Sequence, residues 1–180
     1  GLTLQILDGE KEAYYGTLGA LTDSPLAQGF VFDIGGGSAQ LSQVRSQRNA
    51  RGVSKPLGAL ALTDRFIKND PVTPAEIKAI QTAIDAELDA SSWLSKKPAH
   101  EERTLVGIGG TIRNLAKIAI KQQAYPLETL HGFPLRLKTI EQIIAQLQAL
   151  PQKEREKIKG LSRDRADIIL PGAMVLCSVM

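Results

Sequence analysis

The chain of 180 residues has one cysteine, one tryptophan, 4% aromatic residues and no apolar run long enough to span a bilayer. Cys177 alone excludes an internal disulfide and fits a reducing, cytoplasmic setting, with the thiol serving as a small core residue. The first residues carry no basic stretch leading into an apolar one, so no secretory leader is expected. Without a long apolar segment no membrane partner is expected, and without aromatics interleaved among the cations none of nucleic-acid type. The two histidines, His100 and His131, stand far apart and make no metal centre between them. What remains is ordinary for a soluble globular chain: 43% hydrophobic, 23% charged, no internal repeat, and enough length for one sizeable core.

Charge is unevenly placed. Residues 1–90 carry 8 Lys and Arg against 11 Asp and Glu, and residues 91–180 carry 14 against 8. Lys153, Arg155, Lys157, Lys159, Arg163 and Arg165 form the densest basic stretch. It reads as a solvated face broken by Glu154 and Glu156, or as a landing surface for a polyanion.

Strands alternate with helices, which predicts a sheet covered by helices. Leu4, Ile6 and Leu7 suggest a short strand, followed by a helix from about Gly9 to Gly19. Phe30 to Asp33 reads as a buried strand, and residues 39–57 as a hairpin broken near Asn49 to Gly52. A helix follows Pro56 and stops near Asn69. Thr73, Pro74 and Glu76 carry the signature of a capped helix start, with Ile77, Ile80, Ile84 and Leu88 on one stripe. A strand before Gly107 feeds a helix bearing Ile112, Leu115, Ile118 and Ala119. Thr139 opens a helix that turns Ile140, Ile143, Ile144, Leu147 and Leu150 inward. The last segment is apolar and helical, kinked by Pro171. The stretch 95–102, with His100, reads as an exposed polar loop.

Two glycine runs interrupt this pattern at strand ends: Gly35-Gly36-Gly37-Ser38 behind Asp33, and Gly109-Gly110-Thr111 behind Gly107 and Ile108. Glycine leaves no Cβ between backbone and ligand, and successive N–H groups in such a turn make an anion-binding concavity. A carboxylate beside a phosphate implies a divalent cation between them, for which Mg²⁺ is suited. The second run also points a helix N-terminus outward, where phosphate binds well. Neither run has the Gly-Lys-Ser/Thr of a Walker loop or the spacing of a dinucleotide fingerprint. A tight turn capped by Asp33 accounts equally well for the first run taken alone.

"DIGGGSAQL" followed by "GIGGTIRNLA" resembles the second actin-like domain of the exopolyphosphatase/guanosine pentaphosphate phosphatase (Ppx/GppA) family. "LDGEKEAYYGTLGAL", "SKPLGALALTDRF", "NDPVTPAEI", "HGFPL" and "SRDRADIILPGAMVL" resemble further stretches of that family, in its order and across residues 1–180. The resemblance implies a single α/β domain of the actin-like, ribonuclease H-like superfamily that includes Hsp70 and the sugar kinases. Its sheet would be mixed, with helices on its faces. The family's first domain and C-terminal end would be absent, leaving a fragment inactive by itself, with the site in the cleft facing that first domain. The reaction implied is hydrolytic release of a terminal phosphate from inorganic polyphosphate or guanosine pentaphosphate. The glutamate before the alanine, the proposed general base, falls on Glu12. Asp33 falls on the acid that helps hold Mg²⁺ or Mn²⁺, while Gly35, Gly36, Gly37, Ser38, Gly109, Gly110 and Thr111 fall on the phosphate loops. Arg113, just after the second loop, reads as an additional phosphate contact or as a surface arginine on the first turn of its helix, and the resemblance is compatible with a homodimer of the full-length protein.

One position departs from the family pattern. Where the loop ends Gly-Gly-Gly-Ser-Thr-Glu in the family, this chain has Ala39 and Gln40. A neutral amide supplies no charge, so Gln40 is expected to be a weaker metal ligand than the acid it replaces. Read from the residues alone, Glu12 in Glu10-Lys11-Glu12 is a solvated helix position. Two other functions fit the pattern: a non-catalytic phosphate- or nucleotide-binding module, and an ATP-dependent kinase of the same superfamily. The "RADIILPGA" stretch favours the phosphatase branch over the kinase.

Overall fold

The apolar run from Phe30 has period two, and the protein uses both of its faces. The computed structural model describes residues 4, 6–91, 93, 104–127 and 129–180. The expected loop at 95–102 with His100 lies outside them. Strands β1 (Gln28–Ile34), β2 (Ala39–Arg45), β3 (Arg48–Lys55) and β4 (Leu105–Ile108) form one sheet in the order β3-β2-β1-β4. β1 pairs antiparallel with β2 and parallel with β4, and β2 pairs antiparallel with β3, so the sheet is mixed as expected.

Phe32, Ile34, Ala39 and Leu41 face a layer of helices α2 (Ala59–Phe66), α3 (Pro74–Asp89), α4 (Gly109–Gln122), α5 (Leu137–Ala149) and α7 (Ile169–Val179). The expected stripes build this core: Ile80 and Ile84 on α3, Leu115 and Ile118 on α4, and Ile140, Ile143 and Leu147 on α5 are all fully buried. Cys177 packs against it, half-buried. On the other face Val31, Val44, Val106 and Ile108 meet Ala20 and Leu21 of α1 (Gly9–Asp23). Two glycines let α1 lie close: a methyl group on Gly9 would stand 2.5 Å from the Ser54 Cβ, and one on Gly52 3.1 Å from the Ala13 Cβ.

Six expectations need correction. Residues 4, 6 and 7 form no strand and are exposed, outside the four-stranded sheet. α1 runs through Gly19 to Asp23. The hairpin turns at Ser46 and Gln47, both at positive φ (50° and 57°), and the irregularity near Asn49 is a bulge in the β2–β3 ladder. That turn type favours Asn-Gly, so Ser-Gln gave no signal for it. α2 ends at Phe66, and Thr139 lies buried in the first turn of α5, which begins at Leu137. Pro171 sits in the first turn of α7, where its missing N–H leaves no helical bond unmade, so it imposes no kink. A short helix α6 (Gln152–Arg155) and a 3-10 turn at Arg163–Arg165 connect α5 to α7.

The start of α3 carries a measurable consequence. Thr73 Oγ1 accepts from the Glu76 N–H, and the Glu76 carboxylate accepts from Thr73 N–H, Thr73 Oγ1, Lys68 N–H, and both the backbone and side-chain nitrogens of Asn69. The Thr73 and Lys68 backbone bonds, the largest causes, bring the Glu76 pKa from 4.5 to about 2. A carboxyl with a lowered folded-state pKa stabilises the fold fully above its unfolded value. This contribution is therefore lost as pH falls from 4.5 to about 2. Glu76→Gln should lower Tm at neutral pH, and the gap to the parent should close across that window in thermal melts. A gap independent of pH would remove Glu76 from the acid response.

Candidate functional site

The sheet register assembles a polar row beneath the first turn of α1. Asp33 pairs with Ile108 on one side and Gln40 on the other, and Gln40 pairs with Ser54. Alternation sends Asp33, Gln40 and Ser42 to the α1 face, opposite Phe32, Ile34 and Leu41. Asp8 caps α1 by accepting from the Lys11 N–H at 2.9 Å, and this start places Glu12 above the row. The two N–H groups of Gln40 Nε2 donate to Glu12 Oε2 at 2.8 Å and to Ser38 Oγ at 2.7 Å, and the same nitrogen lies 3.2 Å from Ser54 Oγ. Glu12, Asp33, Gln40, Ser42 and Thr17 line a crevice of about 10 Å³, roughly what one water centre needs.

The two acids disturb one another. Burial, and then the charge of Glu12, push the Asp33 carboxyl above its ordinary value, against the Ile34 N–H and the Arg113 charge that hold it down. A divalent cation would relieve that repulsion, and Mg²⁺ commonly takes one or two carboxylates together with substrate phosphate oxygens. The half-buried Asp33 carboxylate fits such a cation. Among the described residues no group of three His, Cys, Asp or Glu comes together, so the row offers these two acids and the Gln40 amide.

The first glycine loop is exposed, and its glycines are not required by its own domain. A methyl group at Gly35 or Gly36 would meet ordinary contacts at 3.5 and 3.7 Å, at Gly37 nothing within 4 Å, and none of the three has positive φ. The loop is held instead from beneath. The N–H groups of Ala59 and Ala61, at the start of α2, donate to Gly35 O and Gly36 O at 2.9 and 3.0 Å. Buried Gly58 lets α2 come that close: a Cβ there would stand 2.2 Å from Gly36 O. Sequence reasoning missed Gly58, for which the only signal was a glycine directly before a helix.

The second loop does require glycine. Gly109 has φ +86° and would place a Cβ 2.2 Å from Asp33 Oδ1, so the two glycine runs meet at that carboxylate. α4 starts here, and Thr111 is buried with its side chain against Gly172 of α7. What Thr111 can offer a ligand is its backbone N–H, while its side chain braces the helix. Arg113 is exposed on the first turn and near enough to Asp33 to act on its charge.

Arg165 was read in sequence only as one cation of the basic stretch. Its guanidinium lies over Gly110, where a Cβ would stand 2.7 Å from Nη2. Asn114 fixes the segment by accepting from the Ser162 N–H at 2.8 Å, and Gly160 (φ +94°) lets the chain pass against Lys117 O. Two arginines thus stand at a helix N-terminus that is itself electropositive, an arrangement an anion stabilises.

Arg155, Lys157 and Lys159 of the basic stretch lie elsewhere. Arg155 is buried, donating from Nε to Leu147 O at 2.8 Å, and Lys157 pairs with Glu154 at 2.6 Å. Lys157 and Lys159 join Lys121 along an open groove of about 350 Å³ near the C-terminal end of α4. His131 lies in an exposed turn.

A model of the Ppx/GppA phosphatase family matches residues 1–180. Exopolyphosphatase 2 of Mycobacterium tuberculosis is 26% identical over 178 residues, covering 98% of this chain and 55% of that protein. Exopolyphosphatase 1 of the same organism is 31% identical over 181 residues, 97% of this chain and 51% of that one. The crystal structure of the Aquifex aeolicus Ppx/GppA family member superposes with a TM-score of 0.84 at 30% identity, over 99% of this chain and 56% of that chain. The chain spans about half the length of these relatives. Its mixed sheet and helical layers are the actin-like α/β fold expected from sequence. A match that runs from residue 1 to residue 180, over a fold shared this closely, makes the chain a member of the Ppx/GppA phosphatase family.

Proposed function

We propose that this chain is one lobe of a phosphohydrolase that releases terminal phosphate from inorganic polyphosphate or guanosine pentaphosphate. The observation that carries this is the first glycine loop, whose glycines neither internal packing nor backbone strain demands. They are explained by something outside the domain reaching the bare backbone. The N-terminus of α4, Arg113 and Arg165 would meet the same phosphate chain from the second loop. Glu12 would take a proton from the attacking water, and Asp33 would hold Mg²⁺ or Mn²⁺. The bound ion would supply positive charge to the phosphoryl oxygens, the largest requirement in phosphoryl transfer. The other lobe would close the cleft, and the 180-residue chain alone is expected not to turn over.

A binding module without turnover is the second reading, favoured by Gln40, whose amide engages the Glu12 carboxylate. Phosphate release by the full-length protein with Mg²⁺, from polyphosphate and guanosine pentaphosphate side by side, separates the two. Release from either supports the hydrolase. Retained binding of both with no release supports the module.

A further inference from the structure

We infer that Gln40 is a positioning residue for Glu12, holding that carboxylate by a hydrogen bond where an acid at the same place would need a cation to hold it. The inference rests on the reading of Glu12 as general base. An ionised carboxylate can only accept, so the Gln40 group 2.8 Å from Glu12 Oε2 must be its N–H. Glu12 is exposed on a first helical turn, where a flexible side chain samples several rotamers, whereas Gln40 is only 5% exposed.

Gln40 is itself fixed from two sides. Its neighbours in the sheet are Asp33 and Ser54, and the second N–H of its amide donates to Ser38 Oγ, with Ser54 Oγ 3.2 Å from the same nitrogen. The loop that would carry phosphate and the helix that would carry the base are therefore joined through one amide. Glutamate here would set a second carboxylate against Glu12 and beside Asp33, three acids that a divalent cation would have to bridge. Glutamine makes the Glu12 geometry independent of that ion.

Two variants of the full-length protein test this, with Glu12→Gln as reference. Gln40→Met keeps the volume and removes the donor; Gln40→Glu keeps the shape and replaces the donor by an acceptor. Misplacement of a reacting group by an ångström can lower a rate by about 10²-fold. Gln40→Met should accordingly lower kcat by about 10–100-fold with KM within about threefold, and added cation should not restore it. Gln40→Glu should bind Mn²⁺ at least about tenfold more tightly than the parent, as two or three acids bind hard cations better than fewer. That binding is read from the electron paramagnetic resonance of free Mn²⁺, without turnover, and its kcat should recover as Mn²⁺ is raised. If Glu12→Gln abolishes turnover while Gln40→Met keeps kcat within about twofold, the positioning role is overturned and the base survives. If Glu12→Gln itself keeps turnover, the base reading falls. Should Gln40→Met not fold, equal Mn²⁺ affinities for the parent and Gln40→Glu overturn the inference.

Discussion

Glu12→Gln in the full-length protein should lower kcat for phosphate release by about 10²–10⁴-fold, the usual worth of general-base help, with KM little changed. The carboxylate stands over the polar row, bordering a crevice with room for about one water. An amide in its place keeps the size and loses the ability to take a proton. Substrate would still be held by the glycine loops and by Arg113 and Arg165, so the loss should appear in kcat. Steady-state kinetics on polyphosphate and guanosine pentaphosphate read both parameters. A loss below about tenfold would falsify the role of Glu12 as base.

Gly58→Ala should damage both fold and function. Its φ of −66° suits alanine, so the backbone is not the obstacle. The added Cβ would stand 2.2 Å from Gly36 O, 2.3 Å from Gly37 C and 2.4 Å from Gly36 C, all main-chain atoms with no side-chain freedom to yield. Overpacking of this kind costs about 1–3 kcal/mol, and in a chain of this size each kcal/mol lowers Tm by about 2–4 °C. The loop would also be pushed from the α2 amides that hold it, so substrate affinity should fall as well. Gly37→Ala is the matching control: with open space around it, Tm should stay within about one degree while affinity drops, since surface changes are usually thermally silent. Unchanged melting and affinity in Gly58→Ala would mean that the α2 contact does not shape the loop.

Much of this was legible in the sequence because it depends on local periods and caps. The Thr73–Glu76 box, the Ile80 and Ile84 stripe and the Phe30–Asp33 strand follow from spacing alone, and strands alternating with helices gave the layers. Residues 39–57 show no clean alternation, so the face taken by Gln40 beside Asp33 was not legible. Their partners were not legible either. Register brought Ser54 beside Gln40, close approach at Gly9 and Gly52 brought Glu12 over both, and the Asn114–Ser162 bond carried Arg165 to Gly110. These are contacts between distant segments, which no local period encodes. The turn at Ser46–Gln47 was hidden for the opposite reason: its residues are not those its backbone prefers.

The bulge between β2 and β3 decides which side chain stands beside Gln40 in the polar row. From the turn outward Arg45 faces Arg48 and Val44 faces Asn49, and an unbroken ladder continued from there would set Val53 opposite Gln40. The single inserted residue, Ala50, shifts every later pair by one, so that Ser54 takes that place and Val53 pairs with Leu41 on the core side. Without it an isopropyl group would stand beside the Gln40 amide in the polar row, and a hydroxyl would be turned toward apolar side chains. The chemistry at one end of this hairpin is thus set by how many residues are counted out at the other.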